Sequence, residues 1–516
     1  MQLDLVIRDG LVFDGTGATP IKADVGVAAG QIAEIGRIKE RGRDEIDAAG
    51  LSVAPGFIDI DSHSDFTLLV DPRAVSAIHQ GVTTEVIGNC GRGCFPISDP
   101  ILAKQSIYGV TDSTELTWRD VSGYFEQLDA AQPAVNVCSL VPNGRLRLAT
   151  AGLADRPAAP EELRNMVSHL EAALEQGAWG LSTGLGYATE MGATDEEITV
   201  LCKSVARAGG LYTTHTRRRD KGASDAVGEA IRTAARTGVR LKVSHQLPRS
   251  GAAEGEQCIA VVENAHGNGI DVAFDMHTPL FGTTYLHAAL PAWAKEGGSE
   301  KTIERLRDRE MRAEMMRHES ILSASGDWQR IVLLDNDSWP QYSRRSVHDI
   351  AVERQQSPLD TVYDLLLGAE KFADLMVILR CYTEEQQRDV FAHPLCMPGS
   401  DTTTLAPDGP LSRSVFHGAY SWAAWFYRFM VREWNILTPE DAIHRLTGLP
   451  ARTLDIKGPG YCTKGRMRMR HIRRGPLRRR GRRLFTQPVG LRLFAMEILF
   501  AKGPTGFRSV RLLESD

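Results

Sequence analysis

The rhythm of apolar and polar residues changes near residue 55. Before that point the two alternate in short runs, DLVIRDGLVFDG, KADVGVAAGQIAEIG and DEIDAAGLSVAPG, broken by Asp-Gly and Ala-Gly turns. A period of two between such turns predicts short strands with one face buried. Residues 1–54 are therefore expected to form the N-terminal part of a small β-sandwich domain. From Phe57 apolar runs alternate with helical patterns. The predicted strands are FIDI (57–60), TTEVIGN (83–89), AVNVCSLV (134–141), AWGLS (178–182), GLYTTH (210–215), RLKVSH (240–245), DVAFDM (271–276) and LCMPGS (395–400). Between several of them, over 161–177, 195–210 and 224–238, apolar residues recur at i, i+3 and i+4 and run into glycine, as in amphipathic helices with a glycine C-cap.

Eight such βα-like units fit a (β/α)8 TIM barrel over residues 55–455, an α/β fold. The order alone also fits a doubly wound sheet; the chemistry at the strand ends, below, favours the barrel. A long insertion, about 285–394, falls between strands seven and eight. It carries a charged helical pattern (302–324) and a short strand, RIVLLD (330–335).

Composition adds bounds. The 516 residues are 42% hydrophobic and 24% charged, enough apolar material for a large core in a globular protein. No run approaches 18 apolar residues, so no membrane span is expected. The start, MQLDLVIRDG, lacks the basic and apolar regions of a secretory signal, so a cytoplasmic location is expected. Eight cysteines are too few for a disulfide scaffold and read as buried thiols or metal ligands; Cys138, Cys202, Cys258 and Cys381 read as core. The net charge of −5 hides an asymmetry, because residues 464–483 hold eleven Lys and Arg and no acid. The rest of the chain is thus strongly acidic, which argues against a nucleic-acid partner. The segment 456–516, where the sandwich would be completed, contains this basic run, which cannot bury a core.

Functional side chains of a barrel come from the C-terminal ends of its strands. Strand one ends in Asp61-Ser62-His63, strand two in Asn89-Cys90-Gly91, strand five in His215, strand six in His245 and strand eight in Ser400-Asp401. A lone strand-end histidine is more often structural, but several on one barrel mouth converge. Imidazoles and a thiolate suit Zn²⁺ with one position open to water. Zinc polarises an amide carbonyl and lowers the pKa of water from 15.7 to about 7. Asp401 is then suited to take a proton from that water and deliver it to the leaving amine.

The stretches PGFIDIDSHSD (55–65), QGVTTEVIGNCG (80–91), GLSTGL (180–185), THTR (214–217), VSHQ (243–246), GSD (399–401) and EDAIHRLTGLPA (440–451) resemble the D-aminoacylase (N-acyl-D-amino-acid deacylase) family of the amidohydrolase superfamily. The resemblance spans about residues 1–460, and its most specific part is the Gly-Asn-Cys-Gly of strand two. It implies a hydrolase of linear amides acting on a small N-acyl amino acid. It also implies one tight zinc site from Cys90, His215 and His245, a second and weaker site involving His63 and Asp61, and Asp401 as the acid/base. Arg413 resembles the family's substrate-carboxylate arginine.

The sequence departs from that pattern in four places. Asp61-x-His63 stands where the family has His-x-His. Gln246-Leu247 follows His245, so the usual strand-six lysine is missing, with Arg249 a candidate substitute. His277-Thr278-Pro279 replaces Tyr-Pro-Tyr, which puts His277 where a tyrosine would polarise the substrate carbonyl; Thr283 stands at a serine position. The basic C-terminal run is the fourth. Two alternatives follow. A cyclic amide hydrolase of the dihydroorotase or hydantoinase type is disfavoured, because strand four, AWGLSTGL, has no lysine to carboxylate and Cys90 offers another bridge. An impaired, non-catalytic metal-binding homologue is motivated by Asp61, the lost lysine and the C-terminus.

Overall fold

A computed structural model describes residues 2–456 apart from 105–106, 111–113, 188, 220–221, 247–251, 292, 297, 370–374 and 417. Arg249, Leu247 and the basic run 464–483 lie outside the described residues.

The alternating N-terminal segment forms β1 (Leu3–Val12), β2 (Ile21–Ala28), β3 (Gln31–Gly36), β4 (Gly42–Asp47) and β5 (Ser52–Val53). They make one mixed sheet of order β3-β2-β1-β4, with β5 also on β1; β1–β2 and β2–β3 are antiparallel, β1–β4 and β1–β5 parallel. The alternation sorts its apolar side chains into two small clusters, Leu3, Val6, Ala28 and Ile38 in one and Val12, Val25 and Ile32 in the other. Any strands that would complete a sandwich from 457–516 fall outside the described residues.

The barrel strands are β6 (Phe57–Asp59), β7 (Val82–Ile87), β8 (Asn136–Ser139) continued by β9 (Val141–Pro142), β10 (Gly180–Gly184), β11 (Leu211–His215), β12 (Arg240–Val243) and β13 (Val272–His277). After the insertion, with β14 (Phe281–Tyr285), β15 (Ile331–Leu333) and β16 (Met376–Arg380), comes the last, β17 (Cys396–Gly399). All the pairings along the barrel are parallel. Leu140 N bonds Ile87 O at 2.9 Å, which joins the β6-β7-β8 run to the β9–β17 run. At the other seam Asp401 N bonds Asp61 O (2.8 Å) and His63 N bonds Thr402 O (2.7 Å), so the cylinder closes between its first and last strands.

Side-chain parity then sets the layers. Leu241 and Val243 face the helices, together with Val227 and Ala230 of the helix Ala223–Thr237, whereas Ile58, Ile60, Val86, Cys138, Leu140 and Met397 pack together inside the barrel with Leu449 and Leu454. Helix starts follow the sequence signals: Thr194 caps Asp195–Arg207 by accepting from Glu197 N, and Gly238 (φ 70°) ends Ala223–Thr237. Cys138, Cys202, Cys258 and Cys381 are buried free thiols.

The insertion departs from expectation. Its first strand, β14, begins at 281 and pairs antiparallel with β16, which pairs antiparallel with β15; only β15 was foreseeable as an isolated apolar run. The expected helix over 302–324 is two helices, Gly298–Arg307 and Arg309–Met315, because Asp308 turns out of the helix and caps the second by accepting from Glu310 N and Met311 N.

Candidate metal centre

Three of the strand-end residues meet at one point. Cys90 Sγ lies 3.4 Å from His245 Nε2, and His215 Nδ1 lies 3.3 Å from the same nitrogen. An ion with bonds of about 2.0–2.1 Å to nitrogen and 2.3 Å to sulfur spaces tetrahedral ligand atoms about 3.3–3.6 Å apart. Both distances to His245 Nε2 therefore match the edges of such a tetrahedron, and all three ligand atoms lie within 4.8 Å of one another. All three are buried. Burial, with Arg219 and His215 adding, holds His245 well below the usual imidazole range, so it is the neutral form that metals bind. Burial, with Asp61 and Asp401 adding, pushes the Cys90 thiol up; a divalent cation opposes this by favouring the thiolate. The donor set fits zinc.

The backbone is bent to present these groups. Cys90 (φ 55°), His245 (φ 37°) and Asp401 (φ 49°) are all left-handed non-glycine residues, a conformation costing of order 1–3 kcal/mol each that persists only where the surroundings enforce it. Here the enforcement is visible. His245 N donates to Asp275 Oδ1 (2.7 Å), and Asp401 N to the Asp61 carbonyl.

A second grouping overlaps the first: Asp61, Cys90, His245 and Asp401 offer ligand atoms within 4.8 Å of one another. His63 stands outside both groupings. Its Nε2 meets Asp401 Oδ1 at 3.1 Å, and its Nδ1 is buried without a hydrogen-bond partner. Burial would raise the Asp401 carboxyl, but the His63 hydrogen bond and the neighbouring His277 outweigh it and hold it below the usual carboxylate range, so it is ionised and able to accept a proton. Asp61 is buried beside Lys242, whose Nζ lies 3.6 Å from Asp61 Oδ2 and 2.5 Å from Asp275 Oδ2. Burial would lower the Lys242 ammonium; Asp275 and Asp61 more than reverse it. A fixed cation thus sits on the floor of the site, against the residue that replaces the first strand-one histidine.

The cavity above these groups is lined by His63, His215, His245, His277, Thr283 and Asp401, with Tyr187, Arg219 and Tyr382 among its other walls. His277 is neutral, pushed down to about 4 by burial, and its Nε2 is 4.0 Å from Asp401 Oδ2. Thr283 reaches the site from β14, so the insertion supplies part of the wall. Arg413 is exposed on the loop after the turn Gly409–Leu411 and is not among the lining residues. The guanidinium in the pocket is that of Arg219, which donates to the His245 carbonyl and to Tyr382 Oη (2.7 Å).

Sequence reasoning missed Lys242, Asp275 and Arg219. Lys242 had a signal: it alternates with Leu241 and Val243, which face the helices, so it had to point into the barrel. Arg219 had none beyond its place four residues after His215.

Known proteins share this sequence and fold. A profile of the Amidohydrolase family matches residues 44–460. The N-acyl-D-glutamate deacylase of Alcaligenes xylosoxydans xylosoxydans is 30% identical over 90% of this chain and 86% of its own length, and the D-aminoacylase of the same organism is 27% identical over the same shares. The crystal structure of N-acyl-D-glutamate deacylase from Bordetella bronchiseptica, complexed with zinc and a phosphonate mimic of the tetrahedral intermediate, superposes with a TM-score of 0.74 at 29% identity, covering 90% of this chain and 88% of that one. With the family profile, the sequence identity and the superposed fold in agreement over nearly the whole described chain, the protein belongs to the amidohydrolase family, within its D-aminoacylase group.

Proposed function

We propose that the protein is a zinc-dependent deacylase that hydrolyses the linear amide of N-acyl-D-amino acids to a carboxylate and a free amino acid. The observation that carries this is the meeting of Cys90, His215 and His245 at tetrahedral-edge distances beside an ionised Asp401, in a chain 30% identical to an N-acyl-D-glutamate deacylase. Cys90, His215 and His245 are the residues to hold the ion. When bound, zinc supplies Lewis-acid polarisation and makes water a nucleophile near neutral pH.

The chain's own groups do the rest. Asp401 accepts the proton of the attacking water and passes it to the departing nitrogen, and the His63 hydrogen bond fixes the orientation of its carboxylate. His277, held neutral, offers an N–H to the amide carbonyl, and the Thr283 hydroxyl offers a second donor. Arg219, a guanidinium already in the pocket, is the group to bind the substrate carboxylate; Arg413 is the alternative, from an exposed loop.

Turnover of matched N-acetyl-D- and N-acetyl-L-amino acids by the zinc-loaded protein, with a hydantoin as a third substrate, tests the proposal. Release of free amino acid from the D series is expected. Hydrolysis confined to the cyclic amide, or none with zinc bound, overturns it.

A further inference from the structure

The position that would hold a second, weaker ion is built differently in this chain. Where the family has His-x-His, the chain has Asp61-x-His63, and a lysine faces Asp61. Lys242 Nζ lies 3.6 Å from Asp61 Oδ2 and is anchored by Asp275 Oδ2 (2.5 Å), the Ile60 carbonyl (3.3 Å) and Asn89 Oδ1 (3.4 Å). The side chains of Lys242 and Asp61 are both wholly removed from solvent. An ammonium ringed by four oxygens and out of reach of water stays in place. Among the described residues, neither carboxylate oxygen of Asp61 accepts a hydrogen bond. Burial pushes the Asp61 carboxyl up, and Lys242 is the strongest influence against it. Ionised, Asp61 has its charge met by Lys242; protonated, it is a poor metal ligand. In neither form does it offer a second ion an unopposed charge.

The other groups do not make up the loss. Asp61, Cys90, His245 and Asp401 lie close together, but Cys90 and the facing nitrogen of His245 already belong to the first ion. That nitrogen has a single lone pair and cannot serve two ions. His63 stands outside the grouping, with its Nε2 on Asp401 Oδ1 at 3.1 Å. A second ion is left with two carboxylates and a shared thiolate, beside a fixed cation. These residues do not fit a second zinc.

We propose that Lys242, set against Asp61, takes the place of a second metal ion, so that the protein is built for one divalent ion per chain. The ammonium is a positive charge that cannot dissociate, whereas the occupancy of a weak metal site follows the metal concentration. This rests on the zinc site of the reading above and not on the identity of the substrate.

Dialysis of the metal-free protein against rising zinc, with metal counted per chain, tests it. The wild type is expected to level off at about one equivalent and to stay there in excess zinc. Asp61→Asn keeps the shape, removes the charge and is expected to hold the same single equivalent. Asp61→His combined with Lys242→Met removes both groups together and rebuilds His-x-His; it is expected to level off at about two equivalents. A wild type that reaches two equivalents overturns the proposal, and a fall to one in Asp61→Asn then makes Asp61 a ligand of the second ion. Loss of the single equivalent in Asp61→Asn places Asp61 in the first site and also overturns it. So does a folded double variant that stays at one, because Lys242 is then not what closes the position. Should the double variant not fold, the wild-type and Asp61→Asn counts decide. Counting metal needs no substrate. One zinc without turnover of any N-acyl-D-amino acid counts against the deacylase reading alone, and no zinc at all overturns both.

Discussion

Two cavities share the wall of Tyr187 and Ile321, and they are built from opposite kinds of chain. The metal pocket draws its reactive groups from the ends of barrel strands: His63, Cys90, His215, His245 and Asp401 follow β6, β7, β11, β12 and β17 or close them. The second cavity, with Arg92 and Lys295 in its lining, draws on a turn, the helix Asn143–Thr150 and the insertion. The first needs three atoms within a few tenths of an ångström of a tetrahedral edge, a tolerance that hydrogen-bonded strands can hold. The reactive groups thus sit on the rigid scaffold, while loops and the insertion shape the space around them.

The comparison breaks first if the metal pocket is not the seat of the chemistry. Cys90→Ala removes a donor from the point that His215 and His245 share, and is expected to take zinc from about one tightly held equivalent to well below that, with loss of essentially all turnover. Metal analysis of the purified variant checks it; unchanged zinc removes Cys90 from the ligand set. Asp401→Asn keeps shape and charge-free hydrogen bonding to His63 but cannot accept the proton. A fall in kcat of about 10²–10⁴-fold with zinc retained is expected, and near-normal kcat removes Asp401 from the mechanism.

The difference between the pockets also governs what was legible. Strand-end ligands could be read because period-two strands fix where a chain must end at the barrel mouth, and the eight predicted strands all have counterparts from β6 to β17. Pairing across the insertion could not be read: β14 and β16 are distant in sequence, and their contacts, not their composition, make them strands. Arg219 escaped notice for the same reason. A cation in a loop reads as solvated until tertiary packing encloses it.

Lys242 tests the floor of the metal pocket. Its single ammonium faces both Asp61 and Asp275 in a fully buried setting, and Asp275 in turn fixes His245. Lys242→Met leaves two buried carboxylates with one hydrogen-bonded only to backbone. Breaking a buried pair in this way costs about 3–5 kcal/mol, so a clear drop in the denaturation midpoint is expected. An unfolding free energy within about 0.5 kcal/mol of wild type, the range of an inert surface change, means that the ammonium does not hold the site together.

The smallest effect sharpens the comparison most, because it asks which kind of segment reads the substrate's own carboxylate. Arg219 lies in the metal pocket, tied to the His245 carbonyl and Tyr382, whereas Arg413 is exposed outside it. If a segment anchored to the strand end does this work, Arg219→Met lowers kcat/KM for an N-acyl-D-amino acid by about 10- to 100-fold, the value of a hydrogen bond to a charged group, and Arg413→Met changes it little. The methyl ester of the same substrate lacks the charge and controls for mere disturbance of His245. Arg219→Met should leave the ratio of acid to ester near one, with zinc content intact. Should the acid keep its advantage over the ester in Arg219→Met and lose it in Arg413→Met, the carboxylate is read from the exposed loop after β17. Should neither substitution touch that ratio, the α-carboxylate is not read by an arginine at either position.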